Sequence, residues 1–220
     1  NYAYVDYEAG LSTFSSIEDE DVDSHTVTVF GHMDTGKSGI SAWHRFRDVR
    51  DVDTILGARL RKQENVTAGE ATRRVSSKTS LGLRGQHEDH DYRSRDFADY
   101  IQDEVAGRVY WHVSPKTDLF GELAYGWVDV DTEGDFGDAE YSQVSVGVRG
   151  QVRPKVTATG QVGWQNREFD SSEIDPIEHW TASMRVNASL IERINAWLGV
   201  WTRITPTVQE PGISTIETRI

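Results

Sequence analysis

From residue 105 to residue 113 the chain alternates strictly: Val105, Gly107, Val109, Trp111 and Val113 interleave with Ala106, Arg108, Tyr110 and His112. Successive side chains of an extended chain point to opposite faces, so this pattern dictates a β-strand with one apolar face. A proline turn, Ser114-Pro-Lys-Thr-Asp118, comes next. Leu119, Gly121, Leu123, Tyr125 and Trp127 then alternate with Phe120, Glu122, Ala124 and Gly126. Two alternating runs joined by a proline turn read as a hairpin.

The unit recurs. Val144, Val146, Val148, Gly150 and Val152 lead into Arg153-Pro-Lys155, and Val156, Ala158, Gly160, Val162 and Trp164 lead out. A third copy runs from Trp180 to Leu190, turns at Ile191-Glu-Arg-Ile194, and continues through Ala196, Leu198, Val200 and Thr202. The period is about 40 residues, one hairpin plus one connection. The same alternation is fainter in 3–13, 26–33, 40–46, 56–62 and 79–87. Together these runs predict eleven or twelve antiparallel strands in one domain over residues 1–220.

The connections differ at the two ends of the strands. Beside the tight turns stand long polar segments, 17–24, 87–103, 129–138 and 168–176, rich in Asp and Glu. Helical periodicity is confined to Arg95–Glu104, where Phe97, Tyr100 and Ile101 predict a short amphipathic turn.

Composition narrows the class. An apolar share of 37% is low for a soluble core of this size. No apolar run approaches the ~20 residues of a membrane-spanning helix, whereas a barrel strand needs only about 9–11 residues with every second one apolar. With 36 acidic against 23 basic residues the net charge of −13 disfavours a nucleic-acid surface. The lack of cysteine removes disulfides, thiolate metal sites and cysteine nucleophiles. The chain opens on Asn1-Tyr-Ala-Tyr with no charged or apolar leader and stops at Ile220 in mid-pattern, which reads as a mature chain or an internal piece.

A soluble sandwich also alternates, so what sits on each face decides. Trp111 lies before a tight turn, and Tyr125, Trp127, Trp164 and Trp180 lie at the opposite strand ends. Amphipathic rings in two bands fit the two headgroup layers of a membrane. By parity the other face carries Arg45, Arg47, Arg59, Arg61, Arg84, Arg108, Arg149, Arg167, Arg185 and Arg203, with Glu122, Gln143, Gln161, Gln165 and Asn187. The expected fold is an all-β, antiparallel up-and-down transmembrane barrel with room for further strands beyond this chain. Its lumen would be lined by Arg45, Arg59, Arg84, Arg108, Glu122, Arg149, Gln161, Arg185 and Arg203.

Three motifs resemble chemistry. Gly31-His-Met-Asp-Thr-Gly36-Lys37-Ser38 fits the phosphate-loop pattern, but that loop works only when a helix follows, and Gly39–Phe46 alternates like a strand. Asp34-Thr-Gly-Lys37 therefore reads as a β-turn. Asp129, Asp131, Glu133 and Asp135, with Glu140 in the twelfth place, approximate a calcium loop between strands; a solvated acidic loop is the plainer reading, and Ca²⁺ is the one cofactor it could recruit. His87-Glu-Asp-His90 offers two imidazoles without a fixed third ligand and reads as a solvated loop. No nucleophile triad or carboxylate pair stands out, so an enzyme is not expected.

At Arg108-Val-Tyr-Trp-His-Val-Ser-Pro-Lys-Thr117, through Asp129-Val-Asp131 to Gly163-Trp-Gln-Asn-Arg-Glu-Phe-Asp170, the chain resembles the β-barrel porins of exopolysaccharide gene clusters, the EpsL-like outer-membrane proteins. The resemblance is strongest over residues 75–204. It implies a place in the outer membrane of a Gram-negative bacterium and a part in passage or export of polysaccharide, and it carries no catalytic residues.

The expected function is passage of saccharides or other small polar solutes through an arginine-lined, anion-preferring lumen. Its partners would be membrane lipid, polysaccharide and envelope export or assembly proteins, in an unspecified oligomeric state. The alternatives are a structural barrel that encloses or anchors an envelope partner and, resting on the phosphate-loop match alone, a nucleotide-binding protein.

Overall fold

The computed structural model describes residues 1–12, 22–52, 59–93, 98–131, 138–171, 174–191, 194–206 and 214–219. They form twelve strands: β1 (Tyr2–Ser12), β2 (Val22–Asp34), β3 (Ser38–Val52), β4 (Arg59–Arg74), β5 (Thr79–Tyr92), β6 (Tyr100–Ser114), β7 (Thr117–Val130), β8 (Ala139–Arg153), β9 (Val156–Phe169), β10 (Ile177–Ile191), β11 (Ile194–Pro206) and β12 (Ser214–Arg219). All belong to one antiparallel sheet in which each strand pairs with its sequence neighbours, the up-and-down order expected from the alternation. Among the described residues β1 and β12 do not pair with each other, so the sheet is open.

Tight connections at one end and long ones at the other follow the sequence. Asp34 pairs with Gly39 across the first tight turn, and Ser114 with Thr117 across the third. The long connections span 13–21, 53–58, 93–99, 131–138, 170–176 and 207–213. Several strands run further toward the acidic end than hydropathy indicates. β4 reaches Arg74 where the alternation marks only 56–62, β3 continues to Val52, and β5 and β6 take up His87–Tyr92 and Tyr100–Asp103 from what reads as loop. The expected helical turn at Arg95–Glu104 is corrected over Tyr100–Glu104, which lies in β6; Phe97 lies outside the described residues. Strands of 13–16 residues exceed the crossing length. They overhang the apolar band by roughly 4–6 residues, and in water nothing requires the outward positions to be apolar.

Two proline turns set the register. Pro115 and Pro154 fix φ near −65°, which bars the positive-φ turns whose twist matches a hairpin. One strand of each pair slips by one residue beside its turn: Ser114 faces Thr117 but His112 faces Asp118, and Arg153 faces Val156 but Gln151 faces Thr157; the same slip recurs between Ser189 and Ile191, beside a turn without proline. The slip restores matching faces; without it Arg108 would stand opposite Leu123 rather than Glu122.

The phosphate-loop match is a hairpin turn. Gly31–Asp34 end β2 and Ser38 begins β3. The Thr35 amide donates to the Ser38 carbonyl at 2.9 Å, and the Gly36 amide to the Asp34 carboxylate at 2.5 Å. Gly36 has φ 79°, open to glycine and costly for a side chain. Gly36→Val should destabilise the protein by about 1–2 kcal/mol in denaturant unfolding.

Candidate functional site: the inward face

The two faces of the sheet have inverted character for a water-soluble fold. Leu83, Val109, Trp111, Leu123, Val146, Trp180 and Met184 lie on the outward face with large exposed areas, Leu123 reaching 68%. The opposite face holds Glu64, Ser80, His90, Glu122, Ser145, Gln165 and Arg167, all buried, beside Tyr110, Phe120 and Tyr141. No second layer covers these groups, since the described elements are strands of one sheet. They are buried because the sheet curls and side chains from non-adjacent strands converge. The Tyr110 hydroxyl on β6 donates to Glu70 on β4 at 3.3 Å, and Tyr141 on β8 donates to Glu104 on β6 at 2.9 Å.

Small residues make room on this inner surface. Gly126 and Gly147 stand opposite Tyr141 and Phe120, and each lies directly beneath its partner's ring, where a Cβ would clash. Such ring-over-glycine pairs pin the register of neighbouring strands.

Most inward cations face carboxylates. Arg108 donates to Glu122 through Nε at 2.8 Å and to the Tyr110 hydroxyl at 2.8 Å. Arg149 reaches Asp118 at 2.9 Å, with its guanidinium 3.9 Å from the Tyr110 ring centroid. Asp118 also meets His112 at 2.6 Å, whose other nitrogen lies 2.8 Å from Ser80. Arg84 pairs with Glu104, and Arg47 with Glu64 at 3.1 Å. Arg167, 1% exposed, sits over the Tyr141 ring at 5.2 Å. The arginines of the inner surface are in large part charge-paired, because the strand registers bring acids opposite them.

The residues singled out from sequence fall as follows. Arg45, Arg84, Arg108, Glu122, Arg149, Gln161 and Arg185 share the inward parity through the registers Arg45↔Val66, Arg84↔Ala106, Arg108↔Glu122, Asp118↔Arg149, Gly147↔Gln161 and Thr159↔Arg185. Arg203 pairs with Glu217. Arg59, expected on the inward face, is corrected: it pairs with Val52 at a register position of the outward parity. Arg61 is corrected: it pairs with Arg50 on the outward parity and bonds Asp48 at 3.1 Å. Its strand extends to Arg74 and takes its phase from there. Trp111, Tyr125, Trp127, Trp164 and Trp180 all stand on the outward face, Trp164 edge-on to its cross-strand partner Trp180 at 5.1 Å.

Of the candidate calcium ligands, Asp129 and Glu140 take outward positions and Asp131 follows β7 directly. Glu133 and Asp135 lie outside the described residues. Glu140 bonds the Tyr125 hydroxyl, and no cluster of three metal-ligating side chains occurs among the described residues. His87 and His90 belong to β5, not to a loop, and face opposite ways: His87 is outward with Asp103 at 2.8 Å, His90 buried against Tyr100 with ring centroids 4.3 Å apart. They cannot share a metal. Sequence reasoning missed Tyr110, Tyr141 and Glu104, whose roles arise from contacts across intervening strands.

An antiparallel up-and-down sheet with an apolar exterior, aromatic residues on that exterior and a polar interior defines a membrane β-barrel protein of the porin class. Residues 3–219 match the family described as "Putative beta-barrel porin 2", and the chain belongs to that family. A search of curated proteins gave no match. Among solved structures it is similar to the outer-membrane expressed OmpT of Vibrio cholerae, with 11% identity, TM-score 0.49, 68% of this chain and 51% of that chain covered. It is also similar to the translocator domain of autotransporter NalP from Neisseria meningitidis, with 10% identity, TM-score 0.48, 91% of this chain and 80% of that one. A third is the alcaligin outer-membrane receptor FauA of Bordetella pertussis, with 12% identity, TM-score 0.36, 98% of this chain and 42% of that one. The chain thus spans about half the length of the first of these structures.

Proposed function

We propose that the chain forms the wall of an outer-membrane porin-like channel of a Gram-negative bacterium, through which saccharides or other small polar solutes pass, without enzymatic activity. The observation that carries this reading is the inversion of the faces. Leu83, Val109, Leu123 and Val146 stand exposed on one side while Arg108, Glu122, Gln165 and Arg167 stand on the other. Apolar groups gain by facing lipid, and polar groups require a hydrated interior.

The path runs along Arg45, Arg84, Arg108, Arg149 and Arg185. Carboxylates oppose several of these arginines, so the lumen suits neutral polyhydroxylated solutes and discriminates weakly between small ions. Reconstituted in a planar bilayer, the protein should give stepwise conductance with anion and cation permeabilities within a few-fold of each other. A sealed protein that co-purifies with an envelope partner would overturn the channel reading and support a structural barrel instead.

A further inference from the structure

One part of the inward face breaks the pattern of charge pairs. On β1–β3, Tyr4, Phe30 and Trp43 occupy one cross-strand row, through the registers Tyr4↔Phe30 and Phe30↔Trp43. The rings of Tyr4 and Phe30 stack at 5.2 Å with an interplanar angle of 20°, and Tyr2 extends the stack, its ring 5.6 Å from that of Phe30. Phe30 and Trp43, on strands paired on both sides, are partly exposed, unlike Tyr110, Phe120 and Tyr141, which are buried under neighbouring side chains; Tyr4 is half exposed, as are its neighbours along the edge strand β1. An exposed aromatic row on the polar face has no role in lipid contact, since lipid meets the other face.

The adjacent row is polar: Asp6↔Thr28 and Thr28↔Arg45. It places a carboxylate on β1 and a guanidinium on β3 beside the aromatic row. The Arg45 guanidinium lies 5.7 Å from the Trp43 ring, and its buried Nε has no hydrogen-bond partner among the described residues. Flat apolar rings offer a face to the C–H side of a sugar ring, while planar carboxylate and guanidinium groups bond neighbouring hydroxyls. One acid and one base together favour a neutral ligand. Few convergent polar groups beside apolar rings are the usual make-up of a small-molecule site.

We infer that the row Tyr4–Phe30–Trp43, flanked by Asp6 and Arg45, is a binding platform for neutral pyranose saccharides on the inward face. This inference rests on reading that face as the solute path, and it names the solute class and the place where it is held.

The test uses the full chain in detergent micelles, titrated with cellohexaose by calorimetry, alongside bilayer conductance of the same preparation. Binding should be saturable, and Trp43→Ala should raise Kd by about tenfold or more, equivalent to about 1.4 kcal/mol. Trp43→Phe should restore Kd to within about threefold, because it keeps an aromatic face. Tyr4→Ala, on the edge strand, should also weaken binding and guards against misfolding of the Trp43 variant. Val29→Ala, on the outward face, should leave Kd unchanged. A conducting protein that does not bind cellohexaose, or binding indifferent to both Trp43→Ala and Tyr4→Ala, would overturn the platform while sparing the channel. Binding lost in those variants from a protein that does not conduct would uphold the platform and sink the channel.

Discussion

Leu123→Arg should destabilise the membrane-inserted protein by about 2–4 kcal/mol, while Gln161→Arg should fold and insert like the parent. Leu123 stands mid-strand on β7, 68% exposed, with Val144 and Gly107 opposite it on the neighbouring strands. If the outward face meets hydrocarbon, a guanidinium there loses its hydration and finds no acid, at a cost of about 2–4 kcal/mol near the midplane. Gln161 lies on the other parity, opposite Gly147 and Ser183, where an added cation meets a hydrated interior. Refolding into lipid vesicles, followed by heat-modifiable gel migration and urea titration, measures both. Equal tolerance of the two substitutions would mean that the exterior faces water, and the membrane reading of the faces would fall. In a soluble sheet protein Leu123→Arg would be mild, since an exposed leucine gains little from staying apolar.

How far the sequence could be read depended on contrast between the faces. β6 to β9 were legible because Val, Leu and Trp alternate there with Arg, Glu, Gln and Gly. β4 was barely visible: its outward positions include Thr67, Gly69 and Ala71, and its inward positions include Glu64, Val66, Ala68 and Glu70, so neither face is consistently apolar. A strand like this is held by its two neighbours, and hydropathy says little about it. The misplacement of Arg61 follows from the same blur.

The interior charge pairs were hidden for a different reason. Arg108 and Glu122 are fourteen positions apart, and which residue Arg108 faces depends on the one-residue slip beside Pro115. Alternation reveals the face of each residue but not its partner across the hairpin, and a slip of one exchanges acid for leucine. Contacts such as Tyr110 with Glu70 depend further on how tightly the sheet curls, a property of all the strands together.

Those interior contacts make Glu122 the position where a small change should have the largest effect inside the sheet. Its carboxylate is buried, with the residue 4% exposed, and holds the Arg108 guanidinium, which also donates to Tyr110; Tyr110, at 0% exposure, donates in turn to Glu70. Glu122→Gln keeps the shape and removes the charge, leaving Arg108 with its tyrosine contact but without its acid. Removing one partner of a buried pair typically costs about 3–5 kcal/mol, and the lower end applies here because Arg108 is only partly buried. Urea unfolding in vesicles should show that loss. The double substitution Arg108→Met with Glu122→Gln should recover most of it, since no unpaired charge then remains. The unpaired Arg108 of the single variant should also shift bilayer ion selectivity toward anions, and the double variant should return it to near the parental value. Loss of stability without a selectivity shift would mean that this pair braces the wall away from the solute path, and the conducting route would then have to run past other inward residues.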